Sequence, residues 1–456
     1  MEKAVLVAGT GISGIGAARL LIEKGESVIL YDTNETLDAN QILTKVSKEK
    51  PQLRVVLGEL TKEVISQIKY CVISPGIPLD VPFVSLLQQY NIPIWSEIEL
   101  AYQMGNGSII AITGTNGKTT TTALVGEIIK EYVGEERTFI VGNIGTPYTE
   151  KALEMKEDSM VVAEISSFQL ETVIQFHPKV SAILNITPDH LNRHKTMEIY
   201  AQTKEKITQN QTSDDVCVLN YDDKVLRAFG NTLSCKVIYF SSTEQLEEGF
   251  YLDGEEIVWK SNGNIIPILS VNELHIVGQC NYENAMAAAA MTLSIGVPLE
   301  TLQKAMKQFK AVEHRIEYVA TIKGVKYYND SKGTNPDAAI QGIKAMKGKS
   351  IIIAGGYDKE SEYDDWIQSF DNKVKHLLLM GQTKEKIKVC AEKYGFTNCT
   401  FVNDMEEAVK VASQLATEGE NVLLSPACAS WGMFKNYEER GRMFKEFVHK
   451  LEKEEN

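Results

Sequence analysis

Short apolar runs alternate with segments of helical period along almost the whole chain. Ala4–Ala8, Ser27–Tyr31, Tyr70–Ile73, Ile109–Ile112, Met160–Ala163, Ser181–Asn185, Val325–Tyr328, Ser350–Ile353, His376–Met380 and Asn421–Leu424 read as strands. Half are followed directly by Gly, Ser or Asp. Strands that are apolar on both faces and separated by helices belong to parallel sheets covered on both sides, so the pattern predicts an α/β fold. Between Val216 and Ile268 the texture changes. Asp253-Gly254 and Asn262-Gly263 sit between alternating apolar residues, the dipeptides favoured in type I′ hairpins, which predicts a small antiparallel excursion inside a middle domain. The points where one α/β unit ends and the next begins fall near Ser96 and Ala311, dividing the chain into domains 1–96, 97–311 and 312–456.

Composition narrows the function classes. With 456 residues and 43% hydrophobic positions the chain can bury several cores and is not disordered. No apolar run approaches the ~18 residues of a membrane span. Met-Glu-Lys-Ala leads into a strand rather than a signal peptide, so a cytoplasmic, soluble protein is expected. Seven scattered cysteines without a CxxC pair fit reduced thiols, which leaves oxygen and histidine as metal ligands. A net charge of −14 would repel a phosphate backbone, so neither nucleic acid nor membrane is an expected partner. An anionic small molecule could still be received by local cations or helix N-termini.

Two glycine clusters follow strands. Gly9-Thr10-Gly11-Ile12-Ser13-Gly14 opens a helical pattern, and Asp32 closes the next strand, the layout of a Rossmann-like nucleotide turn. By motif alone this reads as NAD binding with Asp32 on a ribose hydroxyl; the alternative is that the glycines only allow close helix–strand packing. The unit stops, however, without the second half of a full dinucleotide fold. The second cluster, Thr113-Gly114-Thr115-Asn116-Gly117-Lys118-Thr119-Thr120-Thr121, lies between the strand Ile109–Ile112 and a helix through Leu124, Ile128 and Ile129. Its amides and helix N-terminus would cradle an anion, Lys118 would bridge phosphate oxygens, and the Thr119 hydroxyl would ligate magnesium. Ile112 stands where the longer form of this P-loop has its first glycine.

Polar residues cluster at further strand ends. Glu164 follows Val161-Val162-Ala163 and either caps the next helix or, with Thr119, suits one magnesium ion. Asn185-Ile186-Thr187-Pro188-Asp189-His190 ends another strand, and His190 would be a less usual ligand for a second ion. By pattern alone Lys204 is an exposed helical lysine. In the last third, Asn329–Pro336, Gly355–Lys359 and the block ending at Tyr437 occupy the same kind of edge, where ligands bind in parallel sheets.

TGTNGKTTT resembles the ATP loop of the Mur ligase family, the amide ligases that build the peptidoglycan stem peptide; folylpolyglutamate synthases carry a related loop. The likeness runs from end to end, and Ser425–Gly441 (SPACASWGMFKNYEERG) is similar to the C-terminal block of the members that add D-glutamate. The resemblance implies a Rossmann-like first domain binding the UDP end of a substrate, a central P-loop domain binding ATP, and a Rossmann-like third domain binding an amino acid. The first glycine cluster then serves UDP rather than NAD. For ATP and Mg2+ it implies Gly114, Thr115, Asn116, Gly117, Lys118, Thr119 and Thr120, with Asn281 and Asn284 near the adenine, Asp330 on the ribose and Arg315 on the phosphates. Gly11, Ile12, Ser13, Asp32, Thr33, Ser74, Pro75 and Gly76 would receive UDP, with Asn143 and Ser166 beside the muramoyl group. Lys332, Thr334, Lys359 and Ser430 would hold the carboxylates of D-glutamate, with Tyr437 nearby. Glu164, His190 and Lys204 would complete the metal site, Lys204 as the lysine carbamylated by CO2; Lys206 is its local rival. Cys280 stands where the family usually has histidine before Asn281.

The implied reaction joins the carboxylate of UDP-N-acetylmuramoyl-L-alanine to the amine of D-glutamate through an acyl phosphate and a tetrahedral intermediate, by a monomeric enzyme. Attack of a carboxylate on a γ-phosphate brings like charges together at a cost of roughly 4 kcal/mol per pair at 4 Å and effective dielectric 20, which is why two ions and Lys118 are expected there. The readings that compete are another ligase of the same chemistry and a non-catalytic sensor binding NAD and ATP.

Overall fold

The computed structural model describes residues 3–46, 52–143 and 145–455, and among them twenty strands form three sheets. The first contains β1 (Ala4–Ala8), β2 (Val28–Asp32), β3 (Leu53–Leu57), β4 (Ile68–Ile73) and β5 (Ile94–Ser96), all parallel in the order β3-β2-β1-β4-β5. Every residue of β1 is buried, as expected for a strand covered on both faces. Strand order reverses between β1 and β4, so the loops that follow these two strands diverge and leave a crevice.

The second sheet holds β6 (Ser108–Thr113), β7 (Thr138–Gly142), β8 (Met160–Glu164), β9 (Val180–Ile183), β10 (Val216–Asn220), β11 (Lys236–Ser241), β12 (Gly249–Asp253), β13 (Glu256–Ser261) and β14 (Asn264–Ser270), in the order β14-β13-β12-β11-β10-β9-β6-β8-β7. From β7 to β12 all neighbours are parallel. The antiparallel excursion is therefore shorter than Val216–Ile268: β10 and β11 extend the parallel sheet, and β13 is the first strand to run against its neighbour. Asn262 (φ 51°) and Gly263 (φ 76°) both adopt the left-handed backbone that a type I′ turn demands.

The third sheet comprises β15 (Glu317–Ile322), β16 (Val325–Asn329), β17 (Ser350–Gly356), β18 (Val374–Gly381), β19 (Cys399–Phe401) and β20 (Asn421–Leu424), ordered β15-β16-β20-β17-β18-β19. Its neighbours are parallel apart from the β15/β16 hairpin. Strands Ala4–Ala8 and Asn421–Leu424 coincide with expectation. The expected strand Ser181–Asn185 is observed as Val180–Ile183; beyond it Leu184 N donates to Thr113 O and Thr115 N donates to Asn185 O, tying the end of the strand to the loop that follows β6.

The chain forms two compact units, Met1–Ile268 with Asn284–Ala305, and Leu269–Glu283 with Met306–Asn456. Among the described residues no helix is long and apolar enough to cross a membrane. Within the first unit a continuous apolar core runs from Val5 and Val28 of the first sheet to Ala111 and Val161 of the second. Two buried carboxylates join these sheets. Glu99 accepts the backbone N–H groups of Ile174, Gln175 and Phe176, which satisfies an anion removed from water. Glu97 receives one hydrogen bond, from Gln169 Nε2 at 2.7 Å, and its Oε2 is buried without a partner.

Burial accordingly pushes the Glu97 carboxyl up to about 7 from an ordinary 4.5. The folded state binds this proton more tightly than the unfolded chain, so its contribution to stability is greatest below pH 4.5 and is lost as pH rises to about 7. Glu97→Gln should therefore gain stability relative to the wild type as pH rises from 4.5 to about 7, at up to about 1.4 kcal/mol per pH unit, and gain nothing further above that, in urea titrations at each pH. A pH-independent difference would contradict this.

Candidate active site

The chain leaves β6 at Thr113 and turns through Gly114–Gly117 into the helix Lys118–Val133. Gly117 has φ +86°, and a Cβ there would lie 2.3 Å from Asn284 Oδ1, so only glycine fits. The loop is laced to the end of β9. Asn116 N donates to Asn185 Oδ1 at 2.8 Å, and Thr115 Oγ1 lies 3.1 Å from Thr187 O. Lys118 Nζ folds back on its own loop, donating to Gly114 O at 2.8 Å and Thr115 O at 2.9 Å. Thr119 and Thr120 are buried in the first helical turn.

Two neighbouring strand tips deliver a carboxylate and an amide. Glu164 ends β8 with its side chain buried; Oε1 accepts from Asn143 Nδ2 at 2.9 Å, and Oε2 is buried without a partner. The reading of Glu164 as a helix cap is overturned, because Ser166 caps Ser167–Leu170 in a capping box with Gln169. The Ser166 hydroxyl thereby accepts from Gln169 N and donates to Gln169 Oε1.

Lys204 is also not the exposed lysine that its helical pattern suggests. It is 1% exposed, with Nζ 2.8 Å from Gly114 O, 3.4 Å from Thr113 Oγ1 and 4.8 Å from the centroid of the Tyr200 ring. Burial, and next the charge of Lys118, hold its ammonium well below the usual lysine range, opposed by Asp189 and Glu164. Lys206 points elsewhere, donating to Glu171 O at 2.8 Å. Lys118, Asn143, Glu164 and Lys204 are thus gathered at one edge, whereas His190 (φ +53°) is half-exposed and packs its ring 4.8 Å from that of Phe168. A dry carboxylate oxygen without a donor and a threonine hydroxyl at a helix start are the hard oxygen ligands that magnesium takes. The donor set fits this ion once the Lys204 side chain is not a cation.

The crevice of the first sheet is a cavity of about 540 Å³ lined by Gly9–Ser13, Asp32, Thr33 and Ser74–Gly76, so the predicted residues of this turn do converge. Asp32 Oδ2 accepts from Thr10 Oγ1 at 2.7 Å, and Ser74 Oγ is buried without a partner. Tyr31, Ile77, Pro78, Val81 and Phe83 complete the wall; these were not legible as site residues, since they share the apolar pattern of core positions.

In the second unit β16, β17 and β20 bring three loops together. Lys332 Nζ donates to Tyr437 Oη at 2.8 Å, and Lys359 Nζ lies 4.6 Å from the centroid of Trp431, next to buried Ser430. Asp330 Oδ2 accepts from Ser425 Oγ at 2.8 Å, and burial pushes its carboxyl up to about 7. Arg315 sits between His314 (φ 68°) and Ile316 (φ 48°), close enough for its charge to act on Asp330 and Tyr437. Arg440, missed in the sequence, is buried and donates to Ser331 and to Cys428 O, fixing two of these loops. Asn281 donates to Val277 O at 2.8 Å in this unit, and burial pushes the neighbouring Cys280 thiol up to about 12. Glu313, His314 and Glu317 approach one another as a metal site might, yet Lys445 already donates to both carboxylates.

Family models match three stretches: a Mur ligase MurD-like N-terminal domain at residues 3–96, a Mur ligase middle domain at 112–292 and a Mur ligase glutamate ligase domain at 314–428. The chain belongs to the Mur ligase family. It is 54% identical to the UDP-N-acetylmuramoylalanine–D-glutamate ligase of Lachnospira eligens, over 99% of both chains. It is 52% identical to that of Lachnoclostridium phytofermentans, over 100% of this chain and 99% of the other. In fold it is similar to UDP-N-acetylmuramate-alanine ligase from Thermotoga maritima, with a TM-score of 0.58 and 19% identity over 99% of this chain and 100% of that one.

The glycine turn of the first cavity is selective about side chains. A Cβ on Gly14 would lie 1.8 Å from Gly9 O, whereas one on Gly11 would meet nothing within 4 Å. Gly14→Ala should cost about 1–3 kcal/mol in denaturant unfolding through backbone displacement, and Gly11→Ala no more than about 0.5 kcal/mol.

Proposed function

We propose that this Mur ligase joins the carboxylate of UDP-N-acetylmuramoyl-L-alanine to the amine of D-glutamate, converting ATP to ADP and phosphate in peptidoglycan precursor synthesis. The observation that carries the reading is the dry edge of the second sheet, where Lys118, Glu164, Asn143 and Lys204 meet a P-loop. Lys118 exchanges its loop carbonyls for phosphate oxygens. Thr119, Glu164, His190 and Lys204 would hold magnesium, which would supply positive charge against the phosphate and the attacking carboxylate. The carboxylate displaces ADP to give an acyl phosphate, the neutral amine of D-glutamate adds to its carbonyl, and the tetrahedral intermediate expels phosphate.

Lys204 takes part as a carbamate. A buried amine held below the usual lysine range is neutral more of the time, so its nitrogen attacks CO2, forms an N–C bond and releases a proton to solvent. The product is an anion beside Glu164, and it removes the charge that an ammonium would set against the metal. Burial of Lys204 and the diversion of Lys206 to Glu171 both support this choice.

UDP occupies the cavity at Gly11, Ile12, Ser13, Asp32, Thr33, Ser74, Pro75 and Gly76, and Asn143 and Ser166 lie toward the muramoyl group. Asn281 and Asn284 serve the adenine, and Asp330 and Arg315 the ribose and phosphates. Lys332, Lys359, Thr334, Ser430 and Tyr437 receive the two carboxylates of D-glutamate; such a set of cations and hydroxyls suits a dianion, and a non-catalytic NAD sensor would have no use for it. The domains are 1–96 for UDP, 97–311 for ATP and 312–456 for the amino acid, in a cytoplasmic monomer.

Phosphate release should require ATP, magnesium, UDP-N-acetylmuramoyl-L-alanine and D-glutamate together. Lys359→Ala should raise KM for D-glutamate about a hundredfold or more, the scale of an unpaired charge, with much less effect on KM for ATP. Equal turnover of L-lysine or diaminopimelate would reject the D-glutamate assignment, and tight NAD binding without competition by UDP would favour the sensor. Lys204→Ala should lose most activity and regain part of it with added acetate, measured as phosphate release. Full activity of that variant, or rescue confined to Lys206→Ala, would reassign the carbamate.

A further inference from the structure

Residues 190–195 are held in an unusual shape. The short helix Leu191–His194 starts from His190 at φ +53° and ends at Lys195 with φ +70°. Left-handed backbone at non-glycine residues costs of order 1 kcal/mol and persists only where surrounding contacts enforce it. Arg193 supplies those contacts. Its side chain is 12% exposed and spends four donor directions on protein. Nη1 donates to Pro75 O at 2.8 Å, Nη2 to Ile77 O at 2.9 Å, and Nε to Glu171 Oε1 at 3.0 Å, while Nη2 also meets Glu171 Oε2. The guanidinium carbon lies 4.3 Å from the centroid of Phe168, whose ring packs on His190.

These contacts connect two places that the reaction uses separately. Pro75 and Ile77 line the cavity of the first sheet. Gly76 and Pro78 line both that cavity and a second one of about 630 Å³, which also contains Phe168, Glu171, His190 and Arg193. A ligand that fixes the 74–78 loop fixes the carbonyls to which Arg193 is bonded, and Arg193 in turn sets Phe168 and His190. Glu171 neutralises the guanidinium and holds its plane, so that movement of the loop is transmitted rather than absorbed by rotation of the side chain. We propose that Arg193 is a positioning residue that couples occupancy of the first-sheet cavity to the placement of His190. The inference rests on the proposed function, in which the cavity holds UDP and His190 serves the phosphoryl site.

Linkage makes the coupling reciprocal, so it is measurable from either ligand. Titration calorimetry on the full chain would compare the Kd of UDP-N-acetylmuramoyl-L-alanine with and without saturating magnesium and a non-hydrolysable ATP analogue. The wild type should show at least roughly a fivefold ratio between the two. In Arg193→Lys, which keeps the charge but loses the planar fork, and in Glu171→Gln, the ratio should fall below about twofold, with the Kd of UDP alone changed less than about threefold. In Arg193→Lys kcat should fall at least roughly tenfold, with KM for ATP nearly unchanged. An undiminished ratio in both variants, no ratio in the wild type, or loss of UDP binding in step with activity would overturn the proposal. In each case wild-type turnover of the three substrates with magnesium present would leave the proposed function standing; absence of that turnover would reject both.

Discussion

The Lys204 ammonium lies dry against Gly114 O, with Lys118 as its neighbour in charge and a carboxylate oxygen of Glu164 left without a partner. Removing a cation and an anion from water costs several kcal/mol each unless ligands or one another satisfy them. A core designed only for stability would place neither charge there. The surrounding structure serves to keep the arrangement intact: Asn143 fixes one oxygen of Glu164, Gly117 allows Asn284 to approach the loop, and Asn185 threads between the backbone of the loop and the end of β9.

Carboxyl ends of parallel strands are where this can be done. Backbone hydrogen bonds are completed within the sheet, so loops beyond the last pairing are free to carry charge, and side chains from neighbouring strands point into one crevice. The first sheet applies the rule at its β1/β4 switch point and the third at β16, β17 and β20. In the third sheet the cations rest on aromatic rings: Lys332 on Tyr437 and Lys359 on Trp431. Such contacts localise an ammonium over a ring face.

The first and second sheets are not independent bodies. Their shared core, the amides clamped by Glu99 and the Arg193 bridge to residues 75–77 make the first-sheet cavity and the P-loop parts of one compact unit. Glu97, beside Glu99, is the weak member of this seam, since one of its oxygens is bonded and the other is not. A seam with one well-paired carboxylate and one poorly paired one holds register while remaining sensitive to protonation.

Chain order alone determined the α/β class, both glycine loops and the strand-end polar clusters, because each depends on local chemistry: short continuous apolar runs, glycine where φ is positive, and polar residues where pairing stops. Residues whose roles come from who lies opposite them are not legible in local pattern, and Lys204 stood out only through the family resemblance. Lys204 and Arg193 look like ordinary helical cations, Tyr200 like a core aromatic, and Arg440 like the surface of a C-terminal helix. The edge strands Cys399–Phe401 and Leu53–Leu57 escaped notice because half-exposed strands lack a continuous apolar run. The cap at Ser166, the burial of Lys204 and the divergence of Lys206 were decided by the tertiary structure, since desolvation depends on the whole packed environment around an atom and no local window of sequence contains it.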